Sequence, residues 1–249
     1  MKIIKHNFSW EDNESHKIFW KYAIGRKEQS KSEVNEIVNL FHFIPKETYI
    51  LDVGCGLGYH MEALGQLGYN IVGIEVSDFS YEIAKQNVQA VNGEVYKVLA
   101  KDMVWNNKFD LAIAIHHTLG YMDIKDLYAH LKKIKDTIKQ DGTFILNVPY
   151  TLENSFKSLP SNKWSQDGNK YILVDKYVTE DNYKIENCIV IDAENETIEE
   201  FYEKQRYYYS HEIKQILEQV GFIDIQVLKN FSGEKATNGE EAKIYICKK

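Results

Sequence analysis

Three cysteines and three prolines are few for 249 residues. Cys55, Cys188 and Cys247 are far apart and show no Cys-x-x-Cys or Cys/His spacing suited to zinc. This excludes a disulfide framework and a metal finger, so no metal site is expected. No stretch approaches the ~20 apolar residues of a membrane span. The opening MKIIKHNFSWEDNE breaks its short apolar segment at once with polar residues, unlike a signal peptide, so a cytoplasmic protein with no membrane partner is expected. Positive charge is also in deficit: 30 Lys and Arg against 37 Asp and Glu leave a net charge of -7. That balance lacks the footprint of a protein that binds chiefly phosphates, and no nucleic acid is expected as partner. Lys132, Lys133, Lys135 and Lys139 read as the solvated face of a helix.

What is present is a chain 44% hydrophobic, of a length that suits one α/β domain of about 200 residues with an insertion. From residue 49, short apolar runs (ILDVG, NIVGIEV, EVYKVLA, FDLAIAI, TFILNV) alternate with helical stretches. Near-continuous apolar strands belong to a parallel sheet covered by helices on both faces, which predicts a doubly wound fold. A helix over about 123 to 140 is expected to stop at the Asp141-Gly142 turn before a strand from Thr143. After Pro149 the pattern changes. Residues 150–169 read as loop, and 170–209 offer three β-rich runs joined by short polar turns, an antiparallel meander. A helix at about 210–220 ends at Gly221, and a terminal hairpin follows. Residues 1–48 read as helical and amphipathic, with Val34, Ile37, Val38 and Phe41 on one face. The division predicted is a helical cap at 1–48, a main domain at 49–149 and 210–249, and a β insertion at 150–209 acting as a substrate lid.

The most informative stretch is Tyr49 to Tyr59, YILDVGCGLGY, in which a strand runs into glycines at alternate positions, Gly54, Gly56 and Gly58. Such a turn takes positive φ and lets a ligand approach the backbone. The dinucleotide fingerprint needs a further glycine at position 59, where Tyr59 stands, so the loop suits a nucleoside without a pyrophosphate. Glu75 closes the second strand 23 residues after Asp52, about where an acid takes ribose hydroxyls in nucleoside-binding α/β folds. A carboxylate suits a diol because its two oxygens accept both O–H bonds. Val76 is placed either against an adenine face or in the core. The fourth strand delivers His116, His117 and Tyr121 to the carboxyl edge of the sheet, where ligands bind in such folds. Either histidine is a candidate base, the alternative being packing on a bound cofactor, for which His116 is the candidate, or a main-chain hydrogen bond.

The pattern Asp-x-Gly-x-Gly-x-Gly resembles the first motif of the class I S-adenosylmethionine (SAM) dependent methyltransferases. The resemblance implies an α/β, Rossmann-like, doubly wound and mostly parallel seven-stranded sheet, with the antiparallel β insertion after the fifth strand. It implies SAM as cofactor, with Asp52 under the methionine end and Asp102-Met103 at the adenine-reading position, Asp102 being otherwise a helix N-cap. An acidic lining also favours a ligand that carries a sulfonium and an ammonium. The stretch FDLAIAIHHTLGYM is similar to the small-molecule branch, including sugar-amine N,N-dimethyltransferases and glycine-type N-methyltransferases. In the sugar-amine enzymes a His faces substrate where this chain has Tyr121. Trp20, Tyr22 and Arg26 before SEVNEIVNLF, and QRYYYSHEIKQILEQVGF, extend the likeness.

Tyr22, Arg206, Tyr207 and Tyr209 are the candidate substrate residues. Alternation along a strand would put Tyr207 and Tyr209 on one face, and Arg206 either binds a carboxylate or pairs with Glu203. Asn147-Val148-Pro149-Tyr150 looks like the Asn-Pro-Pro-Tyr motif of adenine and glutamine methyltransferases, but follows the wrong strand and reads as a strand terminator. The expected activity is methyl transfer to an N or O nucleophile of a small molecule. The alternatives are a protein or RNA substrate, or a SAM-binding module without catalysis. The oligomeric state is not legible.

Overall fold

The computed structural model describes residues 1–7, 17, 20, 26–41, 43–116, 118–122 and 124–249, with the side chains of Asn7, Leu119 and Tyr121 left out. Seven strands form the main sheet: β2 (Tyr49–Val53), β3 (Asn70–Glu75), β4 (Glu94–Lys97), β5 (Phe109–Ala114), β6 (Ile138–Asn147), β11 (Ile223–Leu228) and β12 (Ile244–Lys248). Their order is β11-β12-β6-β5-β2-β3-β4. The pairs from β4 to β6 are parallel, whereas β12 runs antiparallel to β6 and β11 to β12. The chain order reverses between β2 and β5, and the crevice at such a reversal is where doubly wound sheets bind ligands.

Both faces of this sheet are buried, which is why β2, β3 and β5 are apolar almost throughout. On one face Leu51, Val72, Ala112 and Phe144 pack under α4 (Ile124–Thr137) and α6 (Ser210–Val220). On the other, Ile50, Ile71, Ile113 and Ile145 meet α1 (Arg26–Leu40), α2 (Tyr59–Gln66) and α3 (Asp78–Val88). Val34 and Ile37 of α1 are buried, and Val38 and Phe41 pack partly against them. Gly221 ends α6 in the left-handed region, at φ 92°.

The second sheet has five strands in the order β1-β10-β9-β8-β7. Three sequence expectations are corrected. Residues 1–48 are not helical throughout, because Lys2–Asn7 forms β1, parallel to β10 (Thr197–Arg206). The segment KIIKHN shows no alternation that marks a strand, and its pairing partner is remote in sequence. Residues 150–169 are not loop throughout, since Leu152–Ser155 forms the short helix α5 and Ser161–Asp167 forms β7. The polar composition of β7 hid it. It is an edge strand, mostly exposed, so neither face needs apolar side chains. The meander is completed by β8 (Lys170–Val178) and β9 (Tyr183–Asp192). Finally, α4 stops at Thr137 rather than near 140, and β6 begins at once. Its pairing with β5 slips between Phe109 and Leu111, with Asp141 at φ 63° in the irregular stretch.

Candidate functional site

The glycine turn leaves β2 with Gly54, Gly56 and Gly58 at φ 69°, 56° and 77°. Any side chain there is strained, and two of the three also face a close neighbour. A Cβ on Gly54 would stand 2.2 Å from Cγ2 of Thr118, and one on Gly56 would stand 2.7 Å from Cζ2 of Trp20. The space in front of Gly56, expected from sequence to belong to a ligand, is therefore bounded by an aromatic ring of the chain itself. Trp20 is in turn fixed by its indole N–H, which donates to Ser80 Oγ at 3.2 Å.

Two acids lie at this turn. Glu75, 4% exposed, accepts from Gly56 N (2.9 Å) on one oxygen and from Val76 N (2.7 Å) and Ser77 N (3.0 Å) on the other. The side chain at the end of β3 thus binds the glycine turn to the start of α3. Burial pushes its carboxyl up, and the three N–H bonds oppose this. Asp52, 2% exposed, has Oδ2 buried with no hydrogen-bond partner among the described residues. Burial raises its pKa to about 6, against a pull downward from His60. An orphaned buried carboxylate oxygen is costly unless a donor or a cation completes it.

A second polar group lies beside the turn. Glu33 of α1 uses one oxygen, Oε2, to accept from His60 Nε2 at 2.8 Å and from His116 Nε2 at 3.0 Å. Burial would raise the Glu33 carboxyl, but the bonds from His116 and His60 hold it at about 2. His116 carries strain, with φ 59° in the left-handed region. Its backbone N–H donates to Asn147 Oδ1 (2.9 Å), and Asn147 Nδ2 donates to Lys243 O (3.1 Å). Asn147, read from sequence as a strand terminator, therefore clamps the end of β5 to the chain entering β12.

The ligand atoms of Glu33, His60 and His116 lie within 4.8 Å of one another, a spacing also found in metal sites. The fourth neighbour argues against that use. Arg26 Nη1 lies 3.2 Å from His116 Nδ1, and a guanidinium can only donate. Nδ1 must then accept, which leaves the proton of the neutral ring on Nε2, pointing at Glu33. Metal-binding imidazoles show the reverse pattern, with a bare nitrogen toward the ion and an N–H toward an acceptor.

The remaining sequence candidates fall into three groups. Val76, half-buried, contributes its N–H to Glu75. Asp102 ends the short turn Ala100–Asp102 with its side chain exposed, so it is not a helix N-cap, and Met103 is buried with its N–H closed onto Ala100 O at 3.4 Å. Arg206 ends β10, donates to Asp181 O, and lies between the rings of Tyr183 (5.6 Å) and Tyr208 (5.4 Å), not beside Glu203, which pairs with Lys184. Tyr207 and Tyr209 do not share a strand face, because β10 stops before them. Tyr207 is buried and stacks on Tyr150 at 6.2 Å, whereas Tyr209 precedes α6 and its N–H donates to Glu212. Tyr22 and His117 lie outside the described residues, as does the side chain of Tyr121, whose backbone belongs to the 118–121 turn. Near Arg206 a cavity of about 450 Å³ opens between α4, α6 and the second sheet.

Sequence reasoning missed Glu33 and His60. The available signal was a carboxylate at the border of the buried Ser30, Val34 and Ile37 stripe of α1, and an imidazole in the first turn after the glycines.

Residues 50–142 match the family model for a methyltransferase domain. A protein of Geobacillus sp. (strain WCH70) that carries a methyltransferase designation is 23% identical over 80% of this chain and 84% of its own length. The dTDP-4-amino-2,3,4,6-tetradeoxy-D-glucose N,N-dimethyltransferase of Saccharopolyspora spinosa is 30% identical over 38% of each chain. Among solved structures, a SAM-dependent methyltransferase from Clostridium acetobutylicum superposes with TM-score 0.75 at 19% identity, covering 95% of this chain and 98% of the other. The SAM-bound amino pentose methyltransferase from Micromonospora echinaspora follows the same fold with TM-score 0.69 at 12% identity, over 98% and 99% of the two chains.

Proposed function

We propose that this chain, which is a class I SAM-dependent methyltransferase, methylates an amine nitrogen of a small molecule. The observation that carries the choice of nitrogen is the His116 ring, whose two nitrogens are both engaged, by Arg26 and by Glu33. A hydroxyl acceptor needs a base to take its proton as the new bond forms, and His116 so engaged has no free nitrogen for it. An amine attacks as its neutral form and needs alignment and dryness more than a base. The N,N-dimethyltransferase named for the Saccharopolyspora spinosa relative and the amino pentose named for the Micromonospora enzyme support the same reading.

The residues present fit SAM. The glycine turn carries no side chain of its own and is bounded by Trp20 in front of Gly56, Glu75 keeps lone pairs beyond its three N–H bonds for a diol, and the orphaned Asp52 oxygen suits a cationic group. SAM supplies a methyl group made electrophilic by its bond to a sulfonium. The second sheet, with β10 packed on the 118–121 turn, acts as a lid that keeps water from the acceptor. The Arg206 cavity has the size of a small-molecule subsite. Initial rates of SAM consumption with matched pairs of amino and hydroxy sugars would test the reading. Turnover with the amine and none with the alcohol is expected, and equal turnover with the alcohol would overturn it.

Asp52 makes SAM binding depend on pH in a direction that can be worked out. Its carboxyl, ordinarily near 3.8, titrates in the folded protein near 6 because of burial. The ionised form is the one that attracts a sulfonium or ammonium, so affinity is full above about pH 6 and weakens as pH falls through that value, by up to about tenfold per unit. Calorimetry from neutral pH down to pH 5 should show this fall in the wild type, and Asp52→Asn should flatten it. A wild-type profile that is flat across the range would remove Asp52 from the cofactor site.

A further inference from the structure

Strand β10 ends in two bases on one side of the second sheet. Lys204 and Arg206 are two residues apart, so they point the same way. Both lie against the ring of Tyr183, Lys204 Nζ at 4.0 Å and the Arg206 guanidinium at 5.6 Å from its centre, and Tyr208 flanks the guanidinium at 5.4 Å. Among the described residues neither base makes an ion pair. Glu203 and Glu186, opposed in the ladder, point to the other side and are held by Lys184, with Lys176 also on Glu186. Asp181 gives Arg206 only its carbonyl oxygen, while its carboxylate accepts from the Thr179 hydroxyl. Two neighbouring bases without an acid stand out in a chain of net charge -7.

These bases adjoin the cavity of about 450 Å³ between α4, α6 and the second sheet. Arg206, Tyr183 and Tyr208 line it from one side, and Tyr128 of α4 and Gln215 of α6 from the other. The lining holds one acid, Glu212, and one of its oxygens already accepts from Tyr209 N at 2.7 Å. Tyr208 also lines a small apolar space with Gly120 of the 118–121 turn. One side chain therefore separates the cavity from the carboxyl edge of the main sheet.

We propose that this cavity binds the anionic group of a small organic molecule, a carboxylate or a phosphate, with Arg206 as the fork that holds it and Lys204 as a supporting charge. The guanidinium is planar and presents paired N–H groups that match two oxygens of either anion. It is already laid between two rings, so little ordering remains to be done on binding. Phenol and amide groups of the walls add donors. The anion has two possible sources, and naming them rests on the amine-methylating reading above. It is either a second group of the acceptor, remote from its amine, or a separate molecule that acts through β10 on the 118–121 turn it packs against.

Calorimetry with phenyl phosphate and with benzylamine, which carry opposite charges beside the same ring, tests the site without turnover, so its outcome is independent of the amine and alcohol comparison. Phenyl phosphate is expected to bind the wild type with a Kd of about a millimolar, and benzylamine not to bind. Arg206→Gln should weaken phenyl phosphate at least about tenfold and Lys204→Gln about two- to fivefold, with SAM affinity unchanged. Lys163→Gln, at an exposed base of β7, should change nothing. Should Arg206→Gln fail to fold, the exposed Lys204→Gln still decides the matter. Kinetics with the amino sugar then identify the source. Competition between phenyl phosphate and the amino sugar, with a raised KM in Arg206→Gln, makes the anion part of the acceptor. A change in turnover without competition makes it a separate effector. No binding of phenyl phosphate by the wild type, equal binding of benzylamine, or undiminished binding in both variants would overturn the proposal.

Discussion

Replacing Glu75 by alanine is expected to weaken SAM binding roughly a hundred- to ten-thousandfold, since two charge-assisted bonds to a diol are worth about 1.5 to 3 kcal/mol each. The geometry adds a second route to the same loss. The carboxylate accepts from Gly56, Val76 and Ser77 together, so its removal leaves three backbone donors unsatisfied at a buried position and releases the glycine turn from α3. Glu75→Gln retains a single acceptor oxygen and should fall between the wild type and Glu75→Ala. Isothermal calorimetry with SAM reads the effect directly. A loss of less than threefold in Glu75→Ala would confine Glu75 to bracing the loop and place the ribose elsewhere.

The other large effect is expected at Glu33, and it should appear in stability as well as turnover. Its carboxyl titrates near 2 instead of the usual 4.5, a difference worth about 3 kcal/mol of folding stability at neutral pH. A depressed carboxyl stabilises the fold above its unfolded value and ceases to do so as pH falls through its folded value. The contribution is therefore complete above about pH 4.5 and is lost between there and about pH 2. Glu33→Ala should lower the melting temperature by about 6–12 °C at pH 7, at 2–4 °C per kcal/mol for a chain of this size. The gap to the wild type should shrink steadily below pH 4.5. Turnover should fall too, because His116 loses the acceptor that fixes its tautomer and α1 loses its tie to the glycine turn. An unchanged melting temperature would mean that the two imidazoles find other acceptors. A gap that did not close in acid would mean that the stabilisation is not electrostatic.

The two groups differ in how far the sequence discloses them. Asp52, the three glycines and Glu75 were legible because each is a local signal: a strand period ending in residues that tolerate positive φ, then an acid at the end of the next strand. The Glu33 group was not, because its hydrogen bonds join residues 27 and 83 positions apart, and no periodicity encodes which polar chain meets which. Residues 207–209 show the opposite error. Alternation was extended past the last paired residue of β10, where the chain leaves the ladder and the period of two no longer applies. Strand β7 was missed because an exposed edge strand needs no apolar pattern.

The main sheet, its parallel core and its glycine turn were thus determined by sequence alone, since burial on both faces demands near-continuous apolar strands and a tight turn demands glycine. Tertiary structure alone decided that β1 crosses over to the second sheet, that Trp20 fills the space before Gly56, and that His116 is held between Arg26 and Glu33. These outcomes rest on contacts between remote segments. Their energies come from the shape and charge of the folded surfaces that meet, which a linear pattern does not contain.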